Sequence, residues 1–242
     1  MTALLISDLH LQPERPDIAA AFEDFLQSKA AGASALYILG DLFESWVGDD
    51  DDDPFVLRMI GALRQTADRG TQLFFMHGNR DFLIGQGFAE VTGVTLLPDP
   101  YRTCIEGHDL VLLHGDSLCT ADSDYMAFRE VVRDPTWQAG ALAKPLSERR
   151  AIASQLREAS QANNQNKPEA IMDVTPEEVE RVLTDQRVRL MVHGHTHRPA
   201  VHPLDVQGHP STRIVLGDWD ARGWYLRIDA SGHALLNFPI AQ

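Results

Sequence analysis

The sequence predicts an α/β fold built as a two-sheet sandwich with a helical insertion, and three patterns in its 242 residues indicate this. Runs of four or five apolar residues that end at glycine or polar residues are typical of strands buried on both faces. Helical patterns separate the early runs, and this strand–helix–strand alternation is typical of α/β folds. Shorter strand patterns joined by Gly-containing turns follow near the C-terminus, where they indicate an antiparallel layer.

Five apolar runs each lead into side chains that can bind a metal ion. Helical patterns over Ile18–Ser28 and Pro54–Asp68 lie between the early runs. Because ligand sites of open α/β sheets lie beyond the carboxyl ends of the strands, we expect these side chains to meet at one place. The runs are ALLIS, ALYIL, QLFFM, LVLL and RLMV, and the side chains after them are Asp8 and His10, Asp41, Asn79, His114, and His195 and His197.

The later segments predict a hairpin, the C-terminal layer and the insertion. Tyr101–Leu113 has the pattern of a hairpin that turns through Glu106, Gly107, His108 and Asp109. The tail over Thr212–Phe238 contains TRIVLGDW, GWYLRID and HALLNF, which predict the antiparallel strands. Residues 122–170 have helical patterns and carry seven basic and seven acidic residues, so the rest of the chain carries the whole net charge of −14. The predicted organisation is a core of 1–121 and 171–242 with the insertion at 122–170.

The composition and the charge exclude several classes of protein. Hydrophobic residues make up 44% and charged residues 23% of the chain, which excludes collagen-like, disordered and coiled-coil chains. A net charge of −14 repels phosphate backbones, so we expect no nucleic-acid partner. No apolar run approaches about 18 residues, the length that spans a bilayer, and the N-terminus lacks the basic residues of a signal peptide. With only two cysteines, Cys104 and Cys119, these features predict a cytoplasmic protein.

The side chains at the strand ends have the chemistry and the spacing of a two-metal site. Asp8 and His10 are two residues apart, so on an extended chain they point to the same side and can bind one cation. His195 and His197 have the same spacing. Seven oxygen and nitrogen ligands are too many for one tetrahedral zinc ion but suit two octahedral ions that share a bridging carboxylate. Two such ions can clamp a phosphoryl oxygen.

In their order along the chain, these motifs resemble those of the calcineurin-like metallophosphoesterase family. The family pattern is D-x-H, G-D, G-N-[H/R]-D, H and G-H-x-H, and all of it is present between Asp8 and His197. The resemblance implies the two-sheet metallophosphoesterase sandwich of that family. It also implies two Mn²⁺ ions, although octahedral O/N ligation permits Mg²⁺ or Fe²⁺ as well. By the same resemblance, one ion is bound by Asp8, His10, Asp41 and His197 and the other by Asp41, Asn79, His114 and His195, with Asp41 bridging.

Arg80 stands where many members of the family have a histidine that can protonate an alkoxide leaving group. A guanidinium keeps its proton, with a pKa above about 12, so it cannot act as this acid but can bind phosphate oxygens. A phosphate leaving group, with a second pKa of about 6, does not need such an acid. Arg80 therefore favours cleavage of a P–O–P bond; the alternative is a structural salt bridge between Arg80 and Asp81.

Within the family, the closer resemblance is to members that hydrolyse UDP-2,3-diacylglucosamine in lipid A biosynthesis. The motifs SDLHL, GDLFESWVGDD, HGNRDFLIG, LLHGDSLCT and HGHTHRPA carry it. It implies that water attacks the α-phosphorus and that the products are UMP and 2,3-diacylglucosamine 1-phosphate. The implied catalytic residues are Asp41, Asn79, Arg80, His114 and His195. The implied substrate-binding residues are Asn79, Arg80, Asp122, Ser160, Asn164, Lys167 and His195.

The resemblance also gives the insertion a role. It implies that residues 122–170 form a helical cap that shelters the acyl chains. The apolar residues that can line such a cap are Leu142, Leu146, Ile152 and Leu156, beside Arg149, Arg150 and Arg157. The implied partners are a nucleotide-activated lipid and the cytoplasmic face of the inner membrane, which we expect a monomer to contact peripherally.

Two alternatives remain open at this point. One is a two-metal phosphoesterase for a soluble nucleotide, such as a dinucleoside polyphosphate or a cyclic nucleotide. The other is a non-catalytic binding scaffold, although such scaffolds usually lose ligands and all seven are present here. Around the site, we expect Asp81 and Asp116 to orient ligating imidazoles, and His77 and His193 to support the ligands or the core. We expect the acidic run Asp49–Asp53 to be a solvated loop.

Overall fold

A computed structural model of the chain describes residues 1–164, 171 and 173–241, with side chains described for all of these except 159–164. In chain order its elements are β1 Thr2–Ile6, α1 Pro16–Ser28, β2 Ala35–Leu39, α2 Pro54–Asp68, β3 Gln72–Met76, α3 Gln86–Thr92, β4 Val94–Leu97, β5 Tyr101–Ile105, β6 His108–Leu112, α4 Ser123–Arg133, α5 Pro135–Leu142, α6 Leu146–Asn164, α7 Pro176–Gln186, β7 Leu190–His193, β8 Ala200–Val206, β9 His209–Val215, β10 Arg222–Asp229 and β11 Gly232–Pro239. Within these ranges, no helix combines the length and the apolar composition that a membrane crossing demands.

The strands form two mixed sheets that pack against each other. The six-stranded sheet has the order β11-β10-β1-β2-β3-β4, and the five-stranded sheet has the order β5-β6-β7-β9-β8. Apolar side chains from both sheets fill the space between them, among them Leu5, Leu39, Leu112 and Val192, and all four are fully buried. The predicted α/β two-sheet sandwich is therefore confirmed.

Helices cover the outer faces of both sheets. On the six-stranded sheet, α1 to α3 connect the parallel strands β1 to β4 and bury aromatic side chains such as Phe22, Phe25 and Phe88. On the five-stranded sheet, α7 packs Val179 and Leu183 against Val111 and other residues of β6 and β7. Helices α1, α2, α5 and α7 all have a proline in their first turn, where its missing N–H has no intrahelical partner to lose.

The C-terminal strands do not form a single antiparallel layer, which corrects the sequence-based prediction. β9 pairs in parallel with β7 in the five-stranded sheet, whereas β10 pairs antiparallel with β1 in the other sheet. Strand β8 is not among the predicted elements, because Pro203 interrupts its strand pattern. β8 lies at an edge of its sheet, where a residue without an N–H is tolerated.

The predicted hairpin over Tyr101–Leu113 is confirmed as β5 and β6. Its turn is tighter than expected and consists of Glu106 and Gly107, whose φ angles are 50° and 89°. Two adjacent positive φ angles are typical of the two-residue turns that match the twist of a hairpin.

The acidic run Asp49–Asp53 is a loop in which Asp49, Asp50 and Asp52 are exposed, as predicted, but its carboxylates also join the insertion to the core. The carboxylate of Asp49 accepts the N–H groups of Gly85 and Phe88 at the start of α3, at 2.9 and 3.0 Å. The carboxylate of Asp53 caps α2 through the N–H of Phe55. Ion pairs link the rest of the run to α6: Asp50 contacts Arg149, and Asp51 and Asp52 contact Arg150. The division into a core of 1–121 and 171–242 and a cap of 122–170 stays a prediction.

Candidate metal centre

The carboxyl ends of β1, β2 and β3 in one sheet meet the ends of β6 and β7 in the other. Backbone hydrogen bonds tie the segments that follow these strands: His10 donates to the carbonyl of Asp41 at 3.0 Å, and Gly194 donates to that of His114 at 2.8 Å. Between the two sheets, the backbone N–H of His195 donates to the carboxylate of Asp8, so residues 187 positions apart in the sequence share one edge of the sandwich. This is the convergence that the apolar runs predict.

The backbone at this edge is held in an unusual conformation. In the part of the chain that the structure describes, eight residues other than glycine have a positive φ angle, and five of them are predicted metal ligands. Such left-handed conformations are costly for side-chain-bearing residues and concentrate at functional sites. The five ligands are Asp8, His10, Asp41, His195 and His197, with φ between 50° and 67°.

The predicted ligands form two adjacent groups. Ligand atoms of Asp8, His10 and His197 lie within 4.8 Å of one another, and so do those of Asp41, His114 and His195. In the second group, the amide oxygen of Asn79 lies 2.9 Å from Nε2 of His114 and 2.8 Å from Nδ1 of His195. All seven predicted ligands are thus brought together.

Asp41 lies between the two groups. Its Oδ2 is 4.0 Å from Nε2 of His10, and its Oδ1 is 3.8 Å from Nε2 of His114. In the first group, Nε2 of His197 lies 3.3 Å from Nε2 of His10 and 3.4 Å from Oδ1 of Asp8. Adjacent ligands of one octahedral ion, at bond lengths near 2.1 Å, are roughly 3 Å apart. The donor atoms and their spacing therefore fit two divalent cations, and carboxylate, amide and imidazole donors suit Mg²⁺, Mn²⁺ or Fe²⁺.

The electrostatics of the site favour positive charge among these side chains. Burial alone would lower the pKa of His114, but the carboxylates of Asp41 and Asp116 raise it to about 9. Burial likewise opposes the charge of His197, yet the hydrogen bond and charge of Asp8 raise the pKa of this imidazole to about 9. Burial raises the pKa of Asp8, and the imidazole of His197 more than compensates, so that this pKa falls below its usual range. The carboxylates of the site thus stabilise the protonated forms of His114 and His197, and they would stabilise a bound cation in the same way.

His195 differs from these imidazoles. Burial and the positive charge of His114 lower the pKa of His195 to about 4, so its ring is neutral at physiological pH. A neutral imidazole is the form that binds a metal ion. Its backbone N–H donates to the carboxylate of Asp8 at 2.9 Å, which connects the two ligand groups.

Two positions of the motifs require glycine because a carboxylate from another segment packs directly against their backbone. A Cβ atom on Gly78 would lie 2.0 Å from Oδ1 of Asp41, and a Cβ atom on Gly194 would lie 2.3 Å from Oδ2 of Asp8. Real Cβ atoms essentially never come within 3.0 Å of such neighbours. Any side chain at Gly78 would therefore collide with the carboxylate of Asp41, and any side chain at Gly194 would collide with that of Asp8.

We expect the Gly78→Ala variant to bind less metal and to lose activity by about 10- to 100-fold, because the added methyl group displaces the carboxylate of Asp41. Metal content by elemental analysis and turnover measure the effect. The matched control is Gly61→Ala on α2, where a Cβ atom has no neighbour within 4 Å. Equal metal content and activity in both variants would show that Gly78 does not position Asp41.

The groups nearest to the Nδ1 atoms of three predicted ligands are not those predicted. Nδ1 of His114 lies 2.9 Å from the carbonyl oxygen of Leu39. Oε2 of Glu44 lies 2.8 Å from Nδ1 of His10, and Oδ2 of Asp218 lies 3.6 Å from Nδ1 of His197. Sequence analysis missed both carboxylates, because neither follows an apolar run directly in a ligand motif.

Asp81 and Asp116 have other partners than the ligating imidazoles. The buried carboxylate of Asp81 accepts the N–H groups of Leu42 and Gly78, at 2.8 and 2.7 Å, and so holds the segments after β2 and β3 together. The fully buried carboxylate of Asp116 accepts hydrogen bonds from α4, from the Tyr125 hydroxyl and Nε of Arg129, both at 2.8 Å. The prediction for this pair is therefore wrong: both link segments of backbone or helix.

The two remaining histidines of the motifs lie away from the ligand groups, as expected. The ring of His77 contacts the carbonyl oxygen of Ile84 at 2.7 Å. The ring of His193 contacts the carbonyl oxygen of Gly194 and a guanidinium nitrogen of Arg213.

An apolar cavity of about 270 Å³ lies beside the metal ligands, between the core and helices α4 to α6. Its walls carry two tryptophans, Trp46 and Trp137, and its polar rim includes Asn79, Arg80 and Arg157. Of the four apolar residues that sequence analysis assigned to the cap face, Ile152 and Leu156 line this cavity, whereas Leu142 and Leu146 do not. The other apolar walls are Val47, Phe82, Leu83, Phe128, Ala141 and Ala153.

The predicted substrate-binding residues have different positions. Arg80 lines the cavity, and its backbone N–H donates to Asp41. Its buried Nε has no hydrogen-bond partner among the described residues. The carboxylate of Asp81 accepts backbone N–H groups instead, and no salt bridge joins it to Arg80 in the described part of the chain. Asp122 caps α4 through the N–H of Tyr125 at 3.1 Å and does not line the cavity. Within the described part of the chain, His195 lies against the ring of Tyr125, which does line it. The side chains of Ser160 and Asn164, and all of Lys167, lie outside the described residues.

Comparison with known proteins identifies close relatives. The family model of calcineurin-like phosphoesterases matches residues 1–199. UDP-2,3-diacylglucosamine hydrolase of Cellvibrio japonicus is 54% identical over 240 residues, which cover 99% of this chain and 100% of that protein. The proteins of the same name from Pseudomonas aeruginosa and Azotobacter vinelandii are each 53% identical over 242 residues. Each match covers 99% of this chain and 100% of the other protein.

A solved structure shows the same fold at low sequence identity. An archaeal phosphodiesterase superposes with a TM-score of 0.50 and 11% identity, and the match covers 98% of this chain and 100% of that one. At this identity the likeness concerns the fold alone.

Proposed function

The chain belongs to the calcineurin-like phosphoesterase family, and from this premise we propose that it hydrolyses the pyrophosphate bond of UDP-2,3-diacylglucosamine, a reaction of lipid A synthesis. The observation that carries the proposal is the apolar cavity that opens beside the metal ligands. Asn79 and Arg80 belong to the wall of this cavity, and Asn79 also contacts the ligating imidazoles. A substrate with acyl chains next to a diphosphate matches this combination of an apolar wall and a polar edge.

Different residues of the chain have different roles in the proposed hydrolysis. When bound, two divalent cations supply Lewis-acid stabilisation of the phosphoryl oxygens and lower the pKa of water. Asp8, His10, Asp41 and His197 would hold one cation, and Asp41, Asn79, His114 and His195 the other. Arg80 binds a phosphate oxygen and stabilises the negative charge that develops there. The cavity holds the acyl chains and excludes water from them.

Arg80 in place of a proton donor favours cleavage of a phosphoanhydride over cleavage of a simple phosphate ester. A guanidinium cannot donate its proton to a leaving group, so the leaving group must be stable as an anion. Attack of water at the α-phosphorus expels 2,3-diacylglucosamine 1-phosphate, whose phosphate has a second pKa of about 6. The products are then UMP and the acylated sugar phosphate.

Further features of the proposal concern the metal, the cap and the location. The metal is Mn²⁺, and the ligand chemistry also permits Mg²⁺ or Fe²⁺. Residues 122–170 act as a cap over the acyl chains, with Asp122, Ser160, Asn164 and Lys167 on the sugar phosphate. The protein works as a monomer in the cytoplasm, in peripheral contact with the inner membrane from which the lipid comes, and it binds no nucleic acid.

The substrate assay compares detergent-dispersed UDP-2,3-diacylglucosamine with UDP-N-acetylglucosamine and a dinucleoside polyphosphate. We expect kcat/KM for the acylated substrate to be higher by at least about 100-fold, because burial of four methylene groups alone contributes about 3 kcal/mol. Faster turnover of a water-soluble compound would overturn the lipid assignment, and absence of turnover with all three after Mn²⁺ loading would favour a binding scaffold.

The same reaction in oxygen-18 water identifies the phosphorus that is attacked. We expect the label in UMP and none in the acylated sugar phosphate, as read by mass spectrometry. Label in the lipid product would place the attack on the other phosphorus.

A further inference from the structure

Glu44 contacts both the metal centre and the insertion. Its side chain is largely buried, with 11% of its surface exposed, and it lines the apolar cavity. Oε2 lies 2.8 Å from Nδ1 of His10, whereas Oε1 lies 3.2 Å from Nε of Arg157 on helix α6. The two oxygens of one carboxylate therefore face a predicted metal ligand on one side and the insertion on the other.

The carboxylate of Glu44 lies beside the ring of His10. Nε2 of His10 is turned toward the other ligands, 3.3 Å from Nε2 of His197 and 4.0 Å from Oδ2 of Asp41. Nδ1 is then the nitrogen left to carry a proton, and Oε2 of Glu44 lies beside it at 2.8 Å. This is ion-pair distance without hydrogen-bond geometry, because Nδ1 has no hydrogen-bond partner among the described residues, so the carboxylate acts on the ring through its charge. A carboxylate in this place selects the tautomer that leaves Nε2 free to bind a cation, and it increases the basicity of that nitrogen.

The contact with Arg157 holds Glu44 in place. Nη1 of Arg157 also donates to Oε1 of Gln12, at 3.1 Å. The backbone of Glu44 is fixed as well, because its N–H donates to the carbonyl of Leu11 at 3.2 Å. With the guanidinium occupying Oε1, only Oε2 is directed at His10, so the position of α6 bears on the geometry of the first ligand group.

We propose that Glu44 is a positioning residue that orients His10 for the cation of the Asp8, His10 and His197 group and connects this group to Arg157 of the insertion. The metal-binding part of this inference does not depend on the identity of the substrate, whereas its link to turnover rests on the proposed function. Glu44 touches no reacting atom; it acts through His10 on one side and through Arg157 on the other.

The first test measures Mn²⁺ binding without substrate, by equilibrium dialysis at fixed pH. We expect Glu44→Gln to weaken binding at one of two sites by about 10- to 100-fold and to leave the other site unchanged. The weakened variant should regain most of its kcat at high Mn²⁺ concentration, which a defect in folding would not allow. The control is Glu178→Gln on α7, which removes a similar carboxylate–arginine pair, with Arg181, far from the site.

Wild-type affinity at both sites in folded Glu44→Gln would overturn the proposed role toward His10. Glu44→Asp is the second variant: its shorter side chain keeps the charge but cannot span both contacts, so we expect intermediate Mn²⁺ affinity. Because the dialysis measurements need no substrate, they hold or fail independently of the hydrolysis of UDP-2,3-diacylglucosamine, unlike the recovery of kcat.

The second test is a double-mutant cycle on kcat/KM with Glu44→Gln and Arg157→Gln. If Glu44 connects α6 to His10, the double variant should be more active, by about threefold or more, than the product of the two single effects predicts. Effects that simply multiply would show that Arg157 and Glu44 act separately, and would overturn the connection to the insertion.

Discussion

We expect the Asp41→Ala variant to turn over UDP-2,3-diacylglucosamine on the order of 1,000-fold more slowly than the wild-type protein, the largest effect of any single substitution. Asp41 is the one predicted ligand whose two oxygens face both groups, toward His10 at 4.0 Å and toward His114 at 3.8 Å. Its Oδ1 also accepts the backbone N–H of Arg80 at 2.8 Å. We therefore expect loss of this carboxylate to weaken both proposed cation sites and to release Arg80, the proposed phosphate-binding residue, at the same time.

The control for this substitution is Asp68→Ala. Asp68 is an exposed carboxylate at the end of α2, paired only with Arg64 one turn earlier in the contacts that the structure gives it. Its removal should leave turnover and metal content unchanged. Wild-type turnover of folded Asp41→Ala, or two tightly bound ions in that variant, would contradict the bridging position of Asp41.

The second large effect follows from removal of the metal. We expect chelator-treated protein to lose more than about 99% of its activity, and Mn²⁺ to restore it, because the proposed cations both activate water and bind the phosphoryl oxygens. We also expect binding of Mn²⁺ at pH 7.5 to release up to about two protons per chain. His114 and His197 supply them, since their pKa values of about 9 keep both rings protonated in the metal-free protein and a ligating imidazole must be neutral.

The sign of the pH dependence follows from the same two rings. Protons compete with the cations below a pKa of about 9, so the affinity for Mn²⁺ should rise as the pH increases toward that value. His195 contributes no proton, because its pKa of about 4 leaves it neutral. Calorimetry in buffers of different ionisation enthalpy counts the released protons. A count near zero at pH 7.5 would contradict the charge balance of the site.

The sequence predicts which side chains converge at this edge because these side chains obey local rules. Asp8, Asp41 and His114 each follow a short, fully apolar run, and such runs become buried strands whose ends must meet in an α/β sandwich. The glycines next to the ligands can be recognised in the motifs, but the reason for them cannot. Only the structure shows that a Cβ atom on Gly78 or Gly194 would collide with a carboxylate from another strand.

Features that depend on contacts between distant segments could not be predicted in this way. The acidic run looks solvated by itself, yet Asp50 pairs with Arg149, which is 99 residues away. Glu44 and Asp218 carry no signal of their own, because a carboxylate that orients an imidazole can come from any segment that passes nearby. The tail is divided between two sheets because β9 pairs with β7 and β10 pairs with β1. An alternating pattern of apolar residues predicts a strand but not the strand with which it pairs.

The arrangement of the metal centre is tested most directly by anomalous diffraction from crystals of the Mn²⁺-loaded protein. The account predicts two manganese peaks about 3.5–4 Å apart, one among Asp8, His10 and His197 and the other among Asn79, His114 and His195, with a carboxylate oxygen of Asp41 reaching each. A single peak, or two peaks that do not share Asp41, would contradict it.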